Sequence, residues 1–235
     1  MPEVWRRKKA MGEECCVGFD PTVAGEYPIL IGCDEVGTGA LCGPVVAAAV
    51  WFDPRAIPEA VFANLDDSKQ LTRKKRAWLA AAIREVAMVS VAASTAEQID
   101  KVGIRPATLS AMRRAIVGLR VDALVKVDGL VVPKRMPMRC EAVVKGDATV
   151  PQIAAASIVA KVFRDGVMTR LAKRFPDYRW ENNVGYGTAE HLSAIERCGP
   201  TKFHRKSYAP LMQGSLLFAS EFVDVELNAG MAELS

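Results

Sequence analysis

The sequence predicts a mixed central sheet flanked by helices, of the α/β or α+β kind. Two buried-looking runs open the chain as a hairpin, and apolar runs then alternate with stretches of helical period. Acids beside glycine recur at three of the strand ends.

After Tyr27-Pro28, the run ILIGCDEVGTG stops at a carboxylate pair and two glycines, and PVVAAAVWF follows until Asp53-Pro54. This reads as two core strands with Asp34 and Glu35 at their connecting loop. Ser68 and Thr72 are candidate caps for a helix through RKKRAWLAAAIREVA, whose apolar face is expected at Trp78, Ala81, Ala82 and Val86. MVSVAAST is a third strand. Pro106-Ala107-Thr108 opens a helix through Leu109, Met112, Ala115 and Ile116.

In ALVKVDG, Ala123, Val125 and Val127 alternate with Leu124, Lys126 and Asp128, so this is a strand ending in Asp-Gly. CEAVVK is a fifth strand, ended by Gly146-Asp147. A long helix runs from Pro151 to about Phe175, and its first turns, QIAAASIVAK, are small enough to pack closely on a sheet. Thr188 caps a last helix, AEHLSAIERC, stopped by Gly199-Pro200. Residues 1–27 read as a loose extension, 28–211 as the folded domain and 212–235 as a tail.

Composition excludes several classes. In 235 residues, half are hydrophobic and a quarter charged, the profile of a globular rather than a disordered chain. Apolar runs reach about eight residues, too short to span a bilayer, and the start has no apolar stretch behind its basic residues. The six cysteines form no CxxC pair, so reduced thiols in a cytoplasm are expected rather than zinc. Net charge is only +4, but basic residues cluster at Arg6-Arg7-Lys8-Lys9, Arg73-Lys74-Lys75-Arg76 and His204-Arg205-Lys206. Taken singly, each cluster is better read as a solvated surface run.

Asp34-Glu35, Asp128 and Asp147 all lie where an apolar strand, or the loop after it, reaches the sheet edge. A carboxylate there is costly to bury without a cation, and converging carboxylates raise one another's pKa. With no Cys/His cluster nearby, oxygen donors point to a hard ion, Mg2+ or Mn2+. Two such ions would activate water and stabilise the leaving oxygen of a phosphodiester. Any one Asp-Gly is ordinary turn chemistry; the recurrence carries the argument.

The blocks GCDEVGTGALCGPVVAAAV, DDSKQLTRKKR, ALVKVDG, AVVKGDATVPQIAAASIVAKVFRD and GYGTAEHLSAIERCGPTKFHRKSYAPL occur in that order. Together, from about Ile29 to Leu211, they resemble ribonuclease HII, the type 2 ribonuclease H family. The resemblance implies a ribonuclease H-like fold with a helical C-terminal part. It implies metal-dependent endonucleolytic cleavage of RNA in RNA–DNA hybrids, and at ribonucleotides in duplex DNA, leaving 5′-phosphate and 3′-hydroxyl ends. By motif, the four acids that bind metal and catalyse are Asp34, Glu35, Asp128 and Asp147. A cytoplasmic monomer with a role in ribonucleotide excision repair and no membrane partner is expected. Asp165 is the rival fourth acid, read here as a surface or capping residue.

The chain departs from that pattern at one loop. Most ribonucleases HII carry Gly-Arg-Gly after the acidic pair; here the residues are Gly37, Thr38 and Gly39, as in the sister family ribonuclease HIII. Glycines still let backbone approach a sugar and bond its 2′-hydroxyl, but the positive fork for phosphate is missing. Among substrate contacts, the resemblance implies Tyr186 of GYGT against a sugar, and Ser68 and Lys69 of DSK near the backbone. Lys145, and Arg205-Lys206, are candidates for phosphate. His191 and His204 are expected to be structural.

Overall fold

The computed structural model describes residues 30–53, 55, 57–65 and 71–212. The proposed extension, the proposed tail beyond Met212, the Arg6–Lys9 run and the Ser68-Lys69 pair lie outside the described residues. Strands β1 (Leu30–Val36), β2 (Val45–Trp51), β3 (Met88–Ser94), β4 (Leu124–Asp128) and β5 (Cys140–Val143) form a sheet in the order β3-β2-β1-β4-β5. β1, β2 and β3 pair antiparallel, whereas β4 runs parallel to both β1 and β5. The helices are α1 (Glu59–Phe62), α2 (Arg73–Val86), α3 (Ala96–Val102), α4 (Ile104–Gly118), α5 (Gly146–Thr149), α6 (Pro151–Arg174), α7 (Trp180–Asn183) and α8 (Ala189–Cys198).

β2 is buried on both faces because helices cover both sides of the sheet. On one face α6 and α2 close a core of Val46, Ala48, Val50, Leu79, Ile83 and the alanines of α6. On the other, Ala111, Met112, Ala115 and Ile116 of α4 meet Ile31, Cys33, Val125 and Val127. The small residues of α6 let its first turn rest directly on β1. A Cβ at Gly32 would come within 2.1 Å of the Gln152 carbonyl carbon, so only glycine fits there.

Pro151 at the first turn of α6 and Pro176 after its end set the helix limits, as the sequence predicts. Thr72 and Thr188 side chains accept from Lys75 and His191 N–H, capping α2 and α8. Beyond α6, Met168, Ala172, Tyr178, Trp180 and Ala194 form a separate core under the C-terminal helices. No helix among the described residues is long and apolar enough to cross a membrane. The described cysteines, Cys33, Cys42, Cys140 and Cys198, carry free thiols.

Three expectations need correction. α3, capped by a reciprocal Thr95–Gln98 box, precedes α4 and was not anticipated; α4 itself begins at Ile104, before Pro106. The buried face of α2 is Leu79, Ala80 and Ile83, while Trp78 is half exposed and Val86 exposed. Mixed alanines made two faces look equally apolar, and tertiary contact with α6 chose between them. Finally, Asp34 and Glu35 are not in the loop: they pair within the ladder, opposite Ala48 and Ala47.

Candidate active site

β1 and β4 deliver the acids. Register places Gly32 opposite Lys126, so Asp34 and Asp128, each two residues further on, share the face toward α6. Glu35 starts from the opposite face. Asp34 is only 5 % exposed and accepts hydrogen bonds from the Glu35 N–H at 2.7 Å and from the Ser157 side chain of α6. Burial, then the charges of Glu35 and Asp128, push its carboxyl well above the ordinary carboxylate range, and those hydrogen bonds only partly offset the shift. Asp34, Glu35 and Asp128 are therefore close enough to repel one another.

Asp128 Oδ1 accepts the Gly146 N–H at 2.7 Å, and the Gly129 N–H donates to the Val143 carbonyl at 2.9 Å. These bonds tie the end of β4 to the β5–α5 turn. That turn works because Lys145 holds a left-handed backbone (φ 54°), which costs about 1 kcal/mol for a residue with a Cβ. Asp147, half-buried in α5, directly follows Gly146, whose N–H is the one bonded to Asp128. Lys145 is exposed beside it.

Among the described residues, no three His, Cys, Asp or Glu side chains gather tightly enough to hold a metal ion. The donor chemistry nonetheless fits one. A buried carboxylate crowded by two others, with no cation paired to it among the described residues, suits a hard divalent ion.

Beside the acids, the 37–43 loop is held from behind by two arginines, each 0 % exposed. Arg164, from α6, donates to the carbonyls of Pro44 (2.9 Å), Val184 (2.9 Å) and Cys42 (3.0 Å). Arg205 donates to Gly37 (2.7 Å), Thr38 (2.9 Å) and Gly43 (3.0 Å). Gly37 has φ +90°, and a Cβ there would lie 2.1 Å from Arg164 Nε, so both conformation and space demand glycine. Thr38 and Gly39 are exposed, and a Cβ at Gly39 would meet nothing within 4 Å.

Tyr186 is half-buried, under the Arg164 guanidinium at 5.4 Å from its ring centre. Its loop docks on the glycine loop through the Gly185 carbonyl, which accepts from Leu41 (2.8 Å) and Cys42 (3.2 Å) N–H. His191 and His204 are buried behind this loop: Trp180 Nε1 donates to His191 Nε2 (2.9 Å), which meets His204 Nε2 at 3.1 Å. The Tyr186 carbonyl accepts from His191 Nδ1 at 2.9 Å. Burial lowers both pKa values, that of His204 to about 4. Both histidines are parts of the scaffold.

Two readings of the sequence change. Asp165 is not a surface acid; it is buried and paired with Lys161 at 2.9 Å on α6. Arg205 faces loop carbonyls, so it is not free for phosphate. The clamping role of Arg164, Arg205 and Tyr208 was missed because each contact crosses more than a hundred residues of chain or runs to a loop carbonyl that no motif marks.

An acid-bearing mixed sheet with this strand order is a ribonuclease H-like fold. The chain matches the ribonuclease HII of the PCNA complex from Archaeoglobus fulgidus with a TM-score of 0.66 at 26% identity, covering 77% of this chain and 95% of that one. A ribonuclease H2 from Pyrococcus horikoshii OT3 gives 0.67 at 24% identity, covering 79% and 96%. The chain belongs to the ribonuclease HII family, whose model matches residues 31–211. Relatives named Ribonuclease HII include one from Rhizobium johnstonii, 52% identical over 80% of each chain. Another, from Cereibacter sphaeroides, is 49% identical over 80% of this chain and 88% of its own. The protein is thus a ribonuclease H-type endonuclease of a family that acts on RNA–DNA hybrids.

Proposed function

We propose that the protein hydrolyses the RNA strand of RNA–DNA hybrids with divalent metal, and also cuts at ribonucleotides embedded in duplex DNA, leaving 5′-phosphate and 3′-hydroxyl ends. The observation that carries this is the buried, charge-crowded Asp34 carboxyl beside an open glycine loop. Asp34, Glu35, Asp128 and Asp147 are the ligands of this reading. Two Mg2+ or Mn2+ ions held there supply activation of water and stabilisation of the leaving oxygen. The same choice of ion finds a parallel in Bst-RNase HIII, a fold relative crystallised with Mn2+.

The remaining residues bind and orient. Thr38 and Gly39 offer backbone N–H groups to the 2′-hydroxyl that marks a ribonucleotide. Tyr186 presents its ring to a sugar, and Lys145, with Ser68 and Lys69, meets phosphate. The test is cleavage of a labelled hybrid with Mg2+ or Mn2+, with Asp128→Asn as control. Cleavage by the wild type alone is expected; binding without cleavage by both proteins would replace the enzyme with a binding platform.

Thr38 favours a second reading of specificity. Without a guanidinium fork, grip on an isolated ribonucleotide is weaker, and runs of ribonucleotides are cut better than single ones. Rates on a one-ribonucleotide duplex and on a long hybrid separate the two; faster cutting of the former would refute the second reading.

A further inference from the structure

The back of the glycine loop is lined with hydrogen-bond donors from Arg205 and Tyr208. The Thr38 carbonyl accepts from Arg205 Nη1 at 2.9 Å and from Tyr208 Oη at 2.5 Å, while the Gly37 carbonyl accepts from Arg205 Nη2 at 2.7 Å. Arg205 Nη1 also donates to Tyr208 Oη at 3.0 Å, and the guanidinium lies 5.2 Å from that ring's centre. The pair is anchored in turn. Asp100 of α3 accepts from Lys206 N–H (3.0 Å) and from Ser207 N–H and Oγ (2.9 and 2.6 Å), and Tyr208 packs against the Val45, Ile99 and Ala107 cluster.

Peptide planarity turns this into a statement about the front of the loop. In a trans peptide the C=O of one residue and the N–H of the next point in opposite directions. Two carbonyls aimed inward at Arg205 and Tyr208 therefore aim the Thr38 and Gly39 N–H groups outward. Both residues are exposed, and neither N–H donates to any group among the described residues. The result is two adjacent exposed donors just beyond the end of β1, the strand that carries Asp34 and Glu35, in a loop that lacks a cationic side chain.

We propose that Arg205 and Tyr208 are positioning residues that set discrimination for ribonucleotides by orienting the Thr38 and Gly39 amides. This rests on the ribonuclease reading above. The mutual support is physical: with no charged fork at position 38, the direction of the two amides is what distinguishes a 2′-hydroxyl from a deoxyribose.

Tyr208→Phe keeps the ring and its contact with the guanidinium and removes only the hydroxyl. With Mg2+ present, kcat/KM on an RNA–DNA hybrid is expected to fall about three- to tenfold, the effect of one hydrogen bond. The Ki of an all-DNA duplex as competitor and the melting temperature stay unchanged. Arg205→Lys, which keeps the charge but not the fork, lowers the hybrid preference further. An unchanged kcat/KM in Tyr208→Phe, or an equal loss for hybrid and DNA duplex, overturns the proposal. Failure of the wild type to cut the hybrid overturns the ribonuclease reading instead.

Discussion

Asp34 and Arg205 are both buried and both serve the same end of β1, yet their surroundings are opposite in kind. Among the described residues, the Asp34 carboxylate accepts hydrogen bonds from the Glu35 N–H and the Ser157 side chain alone and is crowded by Glu35 and Asp128. Arg205 spends its donors on the carbonyls of Gly37, Thr38 and Gly43 and on Tyr208, and Arg164 is matched in the same way by Pro44, Cys42 and Val184. A buried ion whose partners are complete rigidifies the chain around it; one left short of compensation is where a ligand's charge yields most free energy. On the reading proposed above, the carboxylate corner is a place for binding, while the arginine pair is a scaffold, although both would look like "buried charge" in a simple census.

The sharpest way to separate them is to neutralise each. Asp34→Asn is expected to lower hybrid cleavage about a thousandfold. It should leave the melting temperature unchanged or raised, because it removes a repelled carboxylate. Loss of the fold along with activity would mean that Asp34 is scaffold after all. Arg205→Met should do the reverse, costing about 3–5 kcal/mol of stability by stranding several carbonyls. A shift below about 1 kcal/mol in denaturant unfolding would break the comparison from the other side.

Two smaller effects sharpen it. If the acidic corner takes up ions, Mn2+ at a hundred times its Kd should stabilise the wild type by about 2.7 kcal/mol. Asp34→Asn should lose most of that gain; an equal gain in both would place ion binding elsewhere. The His191–His204 pair tests the scaffold by pH. His204 has a folded pKa of about 4, below its unfolded value, so the unfolded chain takes up protons first. Its contribution is complete above about pH 6.5 and is lost as pH falls toward about 4, on the order of 3 kcal/mol. Unfolding across that window should show a slope that His204→Gln flattens.

Much of this architecture could be read from residues alone. Period-two alternation located β4, and the prolines and threonine caps bracketed α6 and α8, because these signals are local. The family blocks pointed to Asp34, Glu35, Asp128 and Asp147 because short motifs carry acids at strand ends. What stayed hidden was set by distant contact. Trp78 looked like core until α6 selected the Leu79–Ile83 face of α2. Arg205, in a basic run, looked like a phosphate ligand. Nothing in HRKSYAP distinguishes a solvated arginine from one folded under a loop 168 residues earlier.

Thr38 links the two regions, since its carbonyl belongs to the arginine scaffold and its exposed side chain follows the strand that carries Asp34 and Glu35. An arginine fits there at little cost to folding, because the position is open and the carbonyl contacts to Arg205 and Tyr208 involve backbone only. Thr38→Arg adds a planar cation able to bond a phosphate in two places without disturbing the carbonyl contacts behind the loop. Cleavage of a one-ribonucleotide duplex should rise by up to about tenfold, the worth of one charge-assisted contact, with a smaller gain on a long hybrid. An equal gain on both substrates would mean that the new cation strengthens general duplex binding, and that discrimination rests with the amides alone.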